Sequence, residues 1–203
     1  NRILCLLVGD VPEIAVHLLK RDGFSVRVKE TLEEKYTKDI GLLLLADGVS
    51  ISDEQLARAD KLKTIGYLGD SAGAINKNIC NEKGIVVFDD KKYKKRNAEF
   101  IPKRMADFIN NGDTSMSRNF PNLTLPKLTQ AHRVLHIHKN VPGQMAQINR
   151  VFADNKINII SQFLMTKGDL GYAVTDIPLS YDGNLLKQLK KIDHTIKLRI
   201  LYK

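Results

Sequence analysis

The feature that most restricts the fold is a change of rhythm partway along the chain. Up to about Asp90, the short aliphatic runs "ILCLLV", "FSVRV", "IGLLLLA", "TIGYLG" and "IVVFD" alternate with amphipathic segments. Such runs suit strands buried on both faces. Between them, "PEIAVHLLKRDG" has Pro12 at a helix start and Gly23 at its end, "SDEQLARADKLK" opens on Ser52 as a cap, and "AINKNICNEKG" closes on Gly84. Strand and helix in alternation imply a small α/β domain with a doubly wound, flavodoxin-like parallel sheet. From Arg133 the order becomes strand "RVLHIHK", helix "GQMAQINRVFADNK", strands "INIISQFLMT" and "LGYAVTDIPL", helix "GNLLKQLKKI" and strand "TIKLRILY". That βαββαβ series is ferredoxin-like. Its helices should cover one sheet face, since Met145, Ile148, Val151 and Phe152 recur at helical spacing, as do Leu185, Leu186 and Leu189.

The two rhythms set the expected domains at 1–112 and 131–203, which fits a length of 203 residues at roughly 100 to 150 residues per domain. The first includes a helix from about Pro102 to Asn111. Residues 113–130, "DTSMSRNFPNLTLPKLTQ", carry two prolines and no periodicity, and read as a linker. With 27% charged and 43% hydrophobic residues the chain should fold, and no apolar run reaches the ~20 residues that span a bilayer. "NRILCLLVGD" reads as a buried strand and not as a signal peptide, so a cytoplasmic protein without membrane contact is expected. Cys5 and Cys80 match no metal or redox spacing and read as reduced, buried thiols.

Net charge of +9, densest in "KKYKKRN" from Lys91 to Asn97, would attract acidic partners, but no recognition motif or interleaved aromatics accompany it, so nucleic acid is not an expected partner. A dinucleotide site needs a glycine-rich turn from strand to helix. The nearest candidate, "GYLGDSAG" with Gly66, Gly69 and Gly73, has the wrong spacing and reads as a loop. No P-loop, nucleophile elbow or zinc-protease motif occurs. Neither catalytic nor cofactor-binding residues can be assigned.

Three histidines fall within seven residues, His132, His136 and His138. The last two share a strand face and could chelate a metal, although no further ligand lies nearby. An ordinary strand histidine is the simpler reading. A third stems from "KNVPG", where Asn140, Val141, Pro142 and Gly143 make a strand-to-helix turn whose amides can hold a small carboxylate.

The stretch "HIHKNVPGQMAQINRVFADNKINIISQFLMTKGDLGYAVTDI" resembles the C-terminal ACT domain of the D-3-phosphoglycerate dehydrogenase family, which opens L-serine biosynthesis. "NNGDTSMSRNFPNLTLP" looks like the segment leading to that domain, and "LARADKLKTIGYLGDSAGAINKNICNEKGIVVFD" is similar, more weakly, to the family's substrate-binding domain. In the family a nucleotide-binding domain is inserted within the substrate domain. Here "VVFDD" runs through "KKYKKRNAEFIPKRMADF" directly into the next helix, so the resemblance implies that this domain, its NAD site and the catalytic arginine, glutamate and histidine are missing. Ala46-Asp47-Gly48 stands where substrate-binding arginines are expected. The effector residues are retained: by resemblance His138, Asn140 and Asn158, with the turn Val141, Pro142 and Gly143, would bind L-serine across a dimer of ACT domains. His138 would donate to the carboxylate, and His136 would be structural. The expectation is a non-catalytic L-serine sensor or regulator without cofactor or metal, at least dimeric. Its rival is a fragment or domain-deleted form of an active NAD-dependent dehydrogenase under serine feedback.

Overall fold

The sequence rhythm reappears as two sheets in a computed structural model that describes residues 2–69, 74–89, 97–181 and 183–202. The basic run from Lys91 to Arg96, the junction at Asp90, and Gly73 of the glycine-rich candidate lie outside the described residues.

The first sheet is five-stranded and parallel, in the order β2-β1-β3-β4-β5: β1 (Leu4–Val8), β2 (Ser25–Lys29), β3 (Leu42–Leu45), β4 (Thr64–Tyr67) and β5 (Val86–Asp89). Its crossovers are α1 (Glu13–Arg21), the single-turn α2 (Glu34–Thr37), α3 (Asp53–Arg58) and α4 (Lys77–Lys83). All four leucines of β3 are fully buried, as a central parallel strand requires. The helix ends follow local chemistry. Ser52 and Gln55 form a reciprocal capping box on α3, Asn76 accepts from the Ile79 amide on α4, and Gly84 closes α4 in the left-handed region at φ 68°.

The helix α5 spans Asn97–Asn111, so it begins before Pro102, the residue expected to start it. A proline in a helix interior removes one intrahelical donor, and neighbouring packing outweighs that loss here: Ile101, Met105, Phe108 and Ile109 are all buried. Gly66 lies inside β4 and not in a loop. A Cβ there would fall 2.4 Å from Met105 Sδ and 2.7 Å from Ile101 Cγ2, so the glycine serves close helix-to-sheet packing.

The second sheet is four-stranded and antiparallel in the order β7-β8-β6-β9: β6 (His132–Lys139), β7 (Ser161–Lys167), β8 (Leu170–Ile177) and β9 (Thr195–Leu201). The helices α6 (Gln144–Asp154) and α7 (Asn184–Lys190) pack on one face, through Val134, Ala173 and Ile177 against Ile148, Phe152, Leu185 and Leu189. This is the ferredoxin-like arrangement.

Contacts divide the chain into two compact units, Asn1–Ile109 with Asp113–Asn119, and Asn110–Gly112 with Phe120–Lys203. Residues 113–130 are therefore shared between the units. In the first, Arg118 N donates to Val87 O at 2.8 Å, and Asn119 accepts from Val87 N while donating to Ile85 O, which covers the edge of β5. In the second, Phe120, Leu123, Leu125 and Leu128 are buried, the Phe120 ring meets Tyr172 edge-on, and Tyr172 donates to Gly112 O at 2.6 Å.

Candidate functional site

Alternation along β6 places His132, Val134, His136 and His138 on the helix-facing side. His136 lies beside Ala173 and Leu198, and His138 beside Gly171 and Thr195. Gly171 is needed there: a Cβ on it would sit 2.2 Å from His138 Cε1. The two imidazoles meet edge to face with centroids 5.8 Å apart. No group of three or more His, Cys, Asp or Glu able to hold a metal occurs among the described residues.

His138 Nδ1 lies 2.7 Å from Lys139 O. A carbonyl only accepts, so Nδ1 carries the proton, and in the neutral ring Nε2 is an acceptor. Burial lowers the pKa of His138, opposed by that hydrogen bond, and lowers that of His136 to about 4, assisted by His138. Both rings are therefore neutral near pH 7. The expected role of His138 as a donor to a carboxylate does not fit this tautomer; its free nitrogen suits a ligand ammonium or hydroxyl. It is also only 2% exposed within the chain.

What faces solvent is the turn that follows. The Asn140 backbone amide donates to Asp169 O at 2.8 Å and its side-chain Nδ2 to Gly168 O at 3.1 Å, which ties the turn to the β7–β8 hairpin and leaves Oδ1 as an acceptor. Val141 N donates to Lys139 O, and Pro142 is exposed. Gly143 opens α6 at φ 84° without a side-chain cap, so the first amides of an 11-residue helix point outward with their partial positive charge.

Asn158 does not join this group. It follows α6, at the far end of a helix about 16 Å long from the Asn140 turn. There it lines a cavity of about 350 Å³ with Asn155, Lys156, Ile157, Pro178, Ser180 and Tyr181.

Sequence reasoning missed Gln144 and Thr195. Gln144 is 3% exposed, donates to Asp193 O and leaves Oε1 unpaired, while Thr195 Oγ1 lies 2.8 Å from His136 Nε2. A glutamine at the start of an otherwise amphipathic helix was the available signal.

In the first unit, Gly9, at φ 91°, lets the loops after β1 and β3 close on each other, since a Cβ on it would lie 2.7 Å from Val49 Cγ2. The loop after β3 presents the Asp47 carboxylate, which accepts from Tyr67 OH at 3.2 Å while that hydroxyl accepts from Gly48 N. Cys5 and Cys80 are free and buried, and burial pushes each thiol up to about 12. No helix among the described residues is long and apolar enough to cross a membrane.

Comparison with known proteins matches residues 134–197 to a family described as the AHAS small subunit-like ACT domain. The chain is 39% identical over 99 residues to D-3-phosphoglycerate dehydrogenase of Haemophilus influenzae and 38% identical over 101 residues to that of Escherichia coli K12, each match covering 49% of this chain and 24% of the relative. The match thus spans about a quarter of the length of these relatives. Among solved structures, NAD-bound 3-phosphoglycerate dehydrogenase of Entamoeba histolytica is 18% identical with a TM-score of 0.39, covering 43% of this chain and 32% of that one. The ACT domain of a Chlorobium tepidum GTP pyrophosphokinase is 18% identical with a TM-score of 0.31, covering 35% and 96%. Over about half of its length this chain is similar to D-3-phosphoglycerate dehydrogenase, and it contains an ACT domain.

Proposed function

We propose that the chain is a non-catalytic regulator that binds L-serine, or an amino acid of similar size, between the ACT domains of a homodimer. The observation that carries this reading is the attachment of Asn140 to the β7–β8 hairpin. β7 is an edge strand, and Ile160, Leu164 and Met165 in or beside it are 58%, 45% and 41% exposed. An edge with exposed apolar side chains is suited to pairing with a second copy. Antiparallel pairing of two β7 strands brings the start of one against the end of the other. Asn158 precedes the start, and Gly168, Asp169 and Asn140 sit at the end. Two half-sites that one chain holds about 16 Å apart would then meet across the interface.

The ligand chemistry is consistent with this. Outward amides at the start of α6 suit a carboxylate, while Asn140 Oδ1 and, if uncovered, His138 Nε2 accept from an ammonium or hydroxyl. The enzyme reading, a domain-deleted NAD-dependent dehydrogenase, is favoured less, because Ala46-Asp47-Gly48 stands where the resemblance leads one to expect substrate-binding arginines.

Calorimetry with L-serine and sedimentation of a dilute sample test the proposal together. Saturating L-serine should drive monomer to dimer, because binding and assembly are linked. Asn158→Ala should abolish the shift without altering the circular dichroism. His138→Ala should weaken binding by about 1.5 to 3 kcal/mol if its nitrogen meets the ammonium, and His136→Ala by less. A serine-saturated protein that stays monomeric rejects the shared site.

A further inference from the structure

The turn from Lys139 to Gly143 is bracketed by two buried side chains that each leave an acceptor unpaired. His138 precedes it on β6 at 2% exposure, and Gln144 follows it as the first residue of α6 at 3%. His138 Nδ1 lies 2.7 Å from Lys139 O, and Gln144 Nε2 donates to Asp193 O at 2.8 Å. A backbone carbonyl only accepts, so in both side chains the donor is spent inside the chain, and His138 Nε2 and Gln144 Oε1 remain as acceptors. Neither atom has a hydrogen-bond partner among the described residues. His136 Nδ1 is unpaired as well, but its other nitrogen meets Thr195 Oγ1, which can donate or accept, so that ring is not fixed in the same way.

Packing does not explain Gln144. The face of α6 turned to the sheet is otherwise built on Ile148 and Phe152, and an aliphatic residue at its first position would be enclosed without penalty. A buried amide oxygen without a donor costs stability.

The two sides of the turn offer opposite chemistry. Outside, the first amides of α6 stand uncapped behind Gly143 and are donors. Inside, His138 and Gln144 are acceptors. The head of an amino acid has the matching order, a carboxylate that accepts beside an ammonium that donates. The number of hydrogens decides which donor suits the inner side: a hydroxyl has one and leaves an acceptor unpaired, whereas an ammonium has three, enough for His138 Nε2, Gln144 Oε1 and Asn140 Oδ1. Building on the effector site proposed above, we infer that Gln144 reads the α-ammonium of the bound amino acid, and so selects amino acids over the corresponding hydroxy acids. The ligand reaches the enclosed acceptors by displacing the turn, where Pro142 and Gly143 are exposed and no atom lies within 4 Å of where a Cβ on Gly143 would stand.

The test is calorimetry on the full chain with three probes: L-serine, L-alanine, which keeps the ammonium and lacks the hydroxyl, and L-glycerate, which has a hydroxyl in place of the ammonium. The unaltered protein should bind L-serine about a hundredfold more tightly than L-glycerate, because a buried acceptor left unpaired penalises the analogue. Gln144→Leu should weaken L-serine and L-alanine in parallel by about tenfold and leave L-glycerate unchanged, which narrows the preference. Gln144→Met, closer in length to the native side chain, should do the same, and circular dichroism checks that both variants fold. A loss of packing at the turn would instead weaken all three probes alike. If L-serine binds and neither variant changes its preference over L-glycerate, the inference fails while the effector reading stands, and the two acceptors belong to enclosed solvent. L-glycerate bound by the unaltered protein as tightly as L-serine overturns it too. Variants that weaken L-serine and spare L-alanine would show that Gln144 reads the hydroxyl and not the ammonium. If no probe binds, both the inference and the effector reading fail.

Discussion

The central strands of the two units are equally buried but built from different chemistry. β3 is four leucines, and its neighbours β1 and β4 contribute Leu6, Leu7, Val8 and Ile65, all at most 1% exposed. β6 and β8 are also closed on both faces, yet they bury Arg133, His136, His138, Thr175 and Asp176. A parallel sheet between helices needs only aliphatic volume. The antiparallel sheet keeps polar groups that an aliphatic substitute could replace, and each must be satisfied or be costly. The centre of the first sheet is explained by packing, with buried polar side chains such as Thr64 and Asp89 confined to β4 and β5, whereas the two central strands of the second hold groups whose retention calls for a structural or functional role.

The largest expected effect tests whether the buried polar groups are structural. Arg133 donates through Nε and Nη2 to both oxygens of Asp176, at 2.7 and 3.0 Å, and through Nη1 to Asn111 O and Pro126 O. Arg133→Met leaves Asp176 buried with, among the described residues, Ser161 as its remaining side-chain partner. It should destabilise the second unit by about 3 to 5 kcal/mol, read as faster hydrogen exchange of β6 and β8 amides, with β3 unchanged. Pairing it with Asp176→Leu should recover most of the loss. A single variant that left β6 exchange unaltered would remove the distinction between the two sheets.

The next effect concerns acid. Burial holds His136 at about 4 and His138 below the usual histidine value, so the unfolded chain takes up protons near pH 6.5 that the folded chain refuses. The stability they contribute is complete above about pH 6.5 and is lost as pH falls from there toward 4, by up to about 3 kcal/mol for His136. Urea unfolding at pH 7 and pH 5 should show the second unit weakening more than the first. His136→Phe should flatten that dependence, and an unchanged slope would mean that the imidazole is not held neutral.

These groups also explain what the sequence revealed and what it did not. The parallel sheet was legible because burial on both faces leaves uninterrupted aliphatic runs such as "GLLLLA", and the ferredoxin-like arrangement because the strands and helices follow a βαββαβ order in which Ile148, Phe152, Leu185 and Leu189 recur at helical spacing; the ACT assignment itself came from resemblance. The second covered face of the antiparallel sheet was not legible. "NFPNLTLPKL" alternates apolar and polar residues around two prolines, so it resembles a loop, although Phe120, Leu123, Leu125 and Leu128 are buried. Pro102 misled the start of α5 because the rule placing proline in a first turn ignores what the following residues bury. Asn140 and Gly143 were placed in the turn between strand and helix because their backbone chemistry is local. Gln144 and Thr195 escaped because they act through partners 49 and 59 residues away. The acceptor state of His138 depends on a hydrogen bond that no spacing rule contains.

The smallest expected effect sets the two helix starts against each other. α3 begins with a closed cap, Ser52 Oγ accepting from Gln55 N at 3.1 Å and Gln55 Oε1 accepting from Ser52 N at 2.9 Å. α6 begins on Gly143, with no side-chain cap and no atom within 4 Å of where a Cβ would stand. Ser52→Ala removes an internal partner and should cost about 1 kcal/mol of stability, with no change in ligand affinity. Gly143→Ala meets no steric obstacle, so its cost, also about 1 kcal/mol, comes from a φ of 84° that alanine resists. To relieve it the turn must rotate the first amides of α6. Gly143→Ala should therefore weaken amino-acid binding, whereas Ser52→Ala, at a similar cost in stability, should not. Thermal unfolding and calorimetry on the two variants separate these outcomes. Equal affinities in both would show that the open end of α6 takes no part in holding the ligand.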